Sequence, residues 1–147
     1  MNLFRENLKI SDLQPIKDLQ PIKDEILLYL WEQALAGKTP VFFAAIPLRI
    51  IEPFDKEYDP RKHPIGKKLI KAIMEAWRNN KFRYAWVYPR NYKFILSDDY
   101  IVYYAALTGQ PDFIPCLVLG KPENEAIKDI QGPLSIEAIR ECLGFEK

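Results

Sequence analysis

Between Pro64 and Leu96 the apolar residues change their period, and that change restricts the fold more than any other feature of the chain. In PIGKKLIKAIMEAWRNN, residues 64–80, Ile65, Leu69, Ile73 and Trp77 recur every four positions, with Ile70 and Met74 beside them. That spacing is the signature of a helix with one buried face. Lys67, Lys68, Lys71, Glu75 and Arg78 fall on the other face, and Asn79 and Asn80 suit the helix end. A few residues later Tyr84, Trp86 and Tyr88 alternate with Ala85 and Val87, which is the period of a strand. YAWVY and YKFIL, joined by Pro-Arg-Asn, predict a hairpin: Pro89 fixes one turn dihedral and Asn91 tolerates the left-handed one.

The same reasoning places the remaining elements. KISDL reads as a short strand, and DEILLYLWEQALA, 24–36, as a buried helix. Asp24 and Glu25 lie at its positive end, and Gly37 supplies a left-handed stop. VFFAAIPLRIIEP, 41–53, is rich in β-forming residues, and Pro47 within it implies an edge position, a bulge or two short strands. SDDYIVYYAALTG, 97–109, reads as a core helix capped by Ser97 or Asp98 and stopped by Gly109. IPCLVLG reads as an inner strand, PENEAIKDIQGP as a loop or linker, and LSIEAIRECLG as a last helix capped by Ser135. Helices interleaved irregularly with a hairpin predict an α+β fold, a small mixed sheet with flanking helices.

A chain of 147 residues predicts a single domain, 1–147, able to bury a core without disulfides or metal. Cys116 reads as a small buried residue and Cys142 as a helix residue; neither belongs to a zinc motif, and no cofactor is implied. No apolar run approaches the roughly 18 residues of a membrane span. MNLFRENLKI does not resemble a signal peptide, so the expectation is a soluble cytoplasmic protein without a membrane partner.

LQPIKD occurs at 13–18 and again at 19–24. Pro21 would break one helix running through both copies, and a six-residue shift turns a helix by about 240°, so the copies would not share a face. The repeat reads as a tolerated tandem duplication in a surface loop, where added length costs little.

The net charge of +1 conceals an asymmetry. Residues 61–93 carry ten Lys or Arg and one acid, hence +9, and the remainder carries −8. One basic block in a balanced chain points to an anion-facing surface.

Arg49 to Gly120 resembles the ParB/sulfiredoxin-like superfamily, in particular the ParB N-terminal domain. RIIEPFD, LIKAIMEAWRNN, WVYPRNYKFIL, SDDYIVYYAALTG and IPCLVLG follow one another in that family's order. The resemblance implies a ParB-like core at 49–120, an N-terminal strand and helix extension at 1–48, and a C-terminal linker and helix at 121–147. In the family a Gly and an Arg at a helix start bind a nucleotide phosphate. Here the best register puts Asp98 on the family's Asp, Asp99 on that Gly, Val102 on that Arg, and Tyr100 on the sulfiredoxin nucleophilic cysteine. The motif is degenerate, so the resemblance implies the fold without the family's chemistry.

Three functions remain open. The first is a non-enzymatic domain that binds DNA, RNA or another polyanion through Arg61, Lys62, Lys67, Lys68, Lys71, Arg78, Lys81, Arg83, Arg90 and Lys93. Tyr84, Trp86 and Tyr88 would stack on bases. The second is a metal-dependent nuclease or phosphohydrolase using Asp98 and Asp99. The same carboxylates can instead cap a helix, and no His or acid lies close by in sequence. His63, the sole histidine, is a further candidate base or anion contact. The third is an interaction or dimerisation module, its basic face meeting an acidic partner or a second copy.

Overall fold

The computed structural model describes residues 24–109 and 111–143. KISDL and all of the repeat but Asp24 lie outside them. Four helices and six strands are present among the described residues: α1 (Glu25–Leu35), β1 (Val41–Pro47), β2 (Ile51–Pro53), α2 (Pro64–Arg78), β3 (Ala85–Arg90), β4 (Lys93–Asp98), α3 (Tyr100–Gly109), β5 (Phe113–Leu119), β6 (Lys128–Gln131) and α4 (Ile136–Cys142). The strands form one mixed sheet in the order β2-β4-β3-β5-β1-β6. β2 runs parallel to β4, and β3 parallel to β5; the other neighbours are antiparallel. The fold is α+β.

Strand alternation divides the core into two layers. Ala44, Ile46, Ala85, Val87, Phe94, Leu96, Ile114, Cys116 and Val118 face one side, where Ile70 and Ile73 of α2 and the apolar body of α3 cover them. Val41, Phe43, Tyr84, Trp86, Tyr88, Ile95, Leu117 and Leu119 face the other, under Leu27 and Ala34 of α1 and Ile139 of α4. β5 is buried along almost its whole length, as a strand with helices on both sides must be.

Local signals explain most boundaries. Asp24 caps α1 by accepting from the amides of Ile26 and Leu27. Gly37, at φ 76°, ends it: its amide bonds Ala34 O and the Lys38 amide bonds Gln33 O, the paired contacts of a left-handed helix stop. Asn80, at φ 58°, does the same for α2, with the Asn80 amide on Trp77 O and the Lys81 amide on Ala76 O. Pro47 separates β1 from β2 through one 3-10 turn, Leu48–Ile50. Ser135 caps α4 by accepting from the Ala138 amide.

Three expectations change. PENEAIKDIQGP contains β6, which pairs with β1 through Phe43–Gln131 and Ala45–Lys128, so this stretch is no simple linker. The hairpin turn is not Pro-Arg-Asn. Pro89 and Arg90 belong to β3, opposite Phe94 and Lys93, and the turn is Asn91-Tyr92 with both residues at positive φ. Positive φ at both centres is the turn type whose twist matches that of paired strands. Finally, the Ser97 hydroxyl is not a cap for α3; it donates to Asp24 at 2.6 Å.

Candidate functional site

α2 exposes its basic stripe because Leu69, Ile70, Ile73, Met74 and Trp77 turn to the core, while Ile65, expected on that face, stays exposed near the helix start. Lys67, Lys68, Lys71 and Arg78 are exposed, with Glu75 the one acid among them. Lys62 is exposed just ahead of the helix. Among the described residues none of these five cations is ion-paired. His63 is exposed as well and stands at the start of α2, but its side chain makes no capping bond.

Three other cations of the block are paired with acids of the same chain. Arg61 grips Asp59 with Nε and a terminal nitrogen, each 2.9 Å from a carboxylate oxygen, and lies 4.7 Å over the Tyr104 ring. Its guanidinium holds the Asp59 carboxyl below the usual range. Arg83 is buried and its Nε donates to Asp99. Lys93 lies 3.3 Å from Glu52 on the surface. Lys81 and Arg90 are exposed, Arg90 at the hairpin end.

The alternating rings do share a sheet face, but that face is covered. Tyr84, Trp86 and Tyr88 are only 2%, 4% and 3% exposed. Trp86 meets Trp31 of α1 edge to face at 5.6 Å, and Tyr84 tilts against Phe43 at 4.7 Å. Burial pushes the Tyr84 and Tyr88 hydroxyls well above the ordinary phenol range. The rings build the second core layer and offer no free face to a base.

Asp98 and Asp99 lie where β4 passes into α3. Burial, then the neighbouring Asp99 carboxylate, pushes Asp98 up to about 7. Burial also raises Asp99, against the opposing pull of Arg83. Asp99 adopts φ 65°, a conformation unusual for a residue with a Cβ, and its carbonyl accepts the Val102 amide in the first turn of α3. Its carboxylate is held by Arg83. Among the described residues no group of three or more His, Cys, Asp or Glu is placed to hold a metal ion. Asp99 thus forms an ion pair with Arg83 at this strand-to-helix corner, with Asp98 next to it; both aspartates are half-buried.

Two features were missed by sequence reasoning. Asp24 is a buried hub joining α1, β3 and β4. Tyr92 stands at the hairpin tip, 96% exposed. The gap between WVYPR and KFIL was the signal for Tyr92, since a two-residue loop turns its side chains outward.

Among the described residues no helix is long and apolar enough to cross a membrane. No family model matches the sequence, and no curated protein matches it. Among solved structures the fold is similar to sulfiredoxin from Arabidopsis thaliana, with a TM-score of 0.45 and 15% identity over 69% of this chain and 96% of that one.

Proposed function

We propose that the protein is a non-enzymatic binding domain that engages a polyanion, nucleic acid above all, through the exposed face of α2. One observation carries this reading: Lys67, Lys68, Lys71 and Arg78, with Lys62 just ahead of them, are exposed and form no salt bridge among the described residues, in a chain whose other segments are net acidic. Uncompensated cations on a rigid helix suit phosphates spaced along a backbone. The burial of Tyr84, Trp86 and Tyr88 removes base stacking from that surface, so its contacts are with phosphate and are indifferent to base sequence.

The test is fluorescence anisotropy with labelled 20-nucleotide single strands and duplexes of DNA and RNA, from 50 to 200 mM salt. Four phosphate contacts on a duplex give a slope of log K against log salt of about −3.6. Absence of salt-sensitive binding at low ionic strength would overturn the reading.

A further inference from the structure

We infer that the tip of the β3–β4 hairpin is a base-stacking finger: Tyr92 lies against an unpaired nucleobase, and Arg90 and Lys93 contact the flanking phosphates. The inference rests on the polyanion reading and adds a second contact element to it.

The tip holds an aromatic ring where the backbone disfavours one. Asn91 and Tyr92 form the two-residue turn at φ 49° and 65°. Glycine adopts such angles without strain, and Asn tolerates them; a bulky side chain at φ above zero is an outlier. A buried ring could offset that strain through packing, but Tyr92 is 96% exposed, whereas the next most exposed large apolar or aromatic side chain among the described residues, Tyr29, reaches only 58%. The side chain therefore takes an unfavourable backbone position and gains no burial in return. Strained positions of this kind mark ligand contacts.

The surroundings specify the ligand. Arg90 and Lys93 pair directly across the strands at the base of the two-residue turn that carries Tyr92. Arg90 has no ion pair among the described residues, and the surface contact of Lys93 with Glu52 is of the weak, exchangeable kind. An exposed ring on a turn closed by two cations suits one base and the phosphates beside it. The base must be unpaired, because in a duplex both its faces are already stacked. Pro89 stiffens the root of the finger, packing where a Gly120 Cβ would lie 3.3 Å from its Cγ. The ligand class is single-stranded nucleic acid, with little base preference, since every base presents a π-face.

The test compares a labelled 20-nucleotide oligo-dT with a duplex of equal length, binding wild type, Tyr92→Gly and Tyr92→Phe. Tyr92→Gly is expected to weaken single-strand binding roughly five- to 140-fold. It should leave duplex binding unchanged and raise the melting temperature by about 1–3 °C, because glycine relieves the positive φ. Tyr92→Phe is expected to retain single-strand affinity. If wild type binds both nucleic acids and Tyr92→Gly binds the single strand equally well, the finger is wrong and the α2 surface stands. If wild type binds neither, both readings fail together.

Discussion

The Tyr88 hydroxyl donates to Asp24 Oδ2 at 2.8 Å, joining the start of α1 to a strand 64 positions away. The Ser97 hydroxyl donates to the same oxygen, while Oδ1 accepts the Ile26 and Leu27 amides. One carboxylate thus caps a helix and anchors it over the sheet. Asp24→Ala removes the cap and leaves two buried hydroxyls without an acceptor. It should destabilise the fold by about 2–4 kcal/mol. Asp24→Asn keeps the capping oxygen and should cost about 1 kcal/mol. Urea denaturation midpoints distinguish the two.

Asp98 gives a pH dependence of defined sign. Its pKa is about 7 in the folded state, raised by burial and by Asp99, against an ordinary value near 3.8. Between those values the folded protein holds more protons than the unfolded chain, so this group's contribution to stability falls as pH rises. The contribution is fully present below about pH 4 and lost as pH rises through about 7. Asp98→Asn mimics the protonated side chain and should flatten this slope, leaving the variant more stable than wild type at pH 8. Equal slopes from pH 4 to 8 in both proteins would contradict the assignment.

Gly66 should resist a substitution that helix propensity favours. Alanine is the better helix former by about 1 kcal/mol. Here its Cβ would meet the Pro60 carbonyl oxygen at 1.9 Å and carbon at 2.7 Å, both backbone atoms. α2 would have to lift off the 60–62 turn, and Gly66→Ala should lose about 1–3 kcal/mol, read from chemical denaturation.

The α2 surface makes a prediction about salt rather than affinity alone. Lys67, Lys68 and Lys71 are exposed, so changing all three to Ala should leave the melting temperature within a few degrees. The duplex salt slope should become shallower by up to about 2.7, or about 0.9 for each phosphate that is no longer neutralised. An unchanged slope would mean that other cations meet the phosphates.

Periodicity made the helices and central strands legible because each hides one face or both. It missed β6, whose residues Lys128, Asp129 and Ile130 are exposed, with Asp129 at φ 52°, so no buried alternation was there to see. It grouped Tyr84, Trp86 and Tyr88 on one face correctly but could not say what covers them; Leu27, Ala34 and Ile139 do, from distant parts of the chain. The basic block was plain from composition, yet the partners that occupy Arg61 and Arg83 depend on a loop turn and on a strand corner 16 residues away. The role of Asp24 rests on hydrogen bonds across 64 and 73 positions, which no local pattern encodes.

The sheet order also sets a schedule for synthesis. β1 lies between β5 and β6, and both of those follow it by more than sixty positions along the chain. At 5–20 residues per second, a ribosome needs roughly 4–15 s after Pro47 to reach Leu119. Throughout that interval VFFAAI is an apolar strand with neither neighbour yet made. The chain's exposure to aggregation is thus governed by translation speed and by chaperone occupancy of this one segment, whatever the stability of the finished fold.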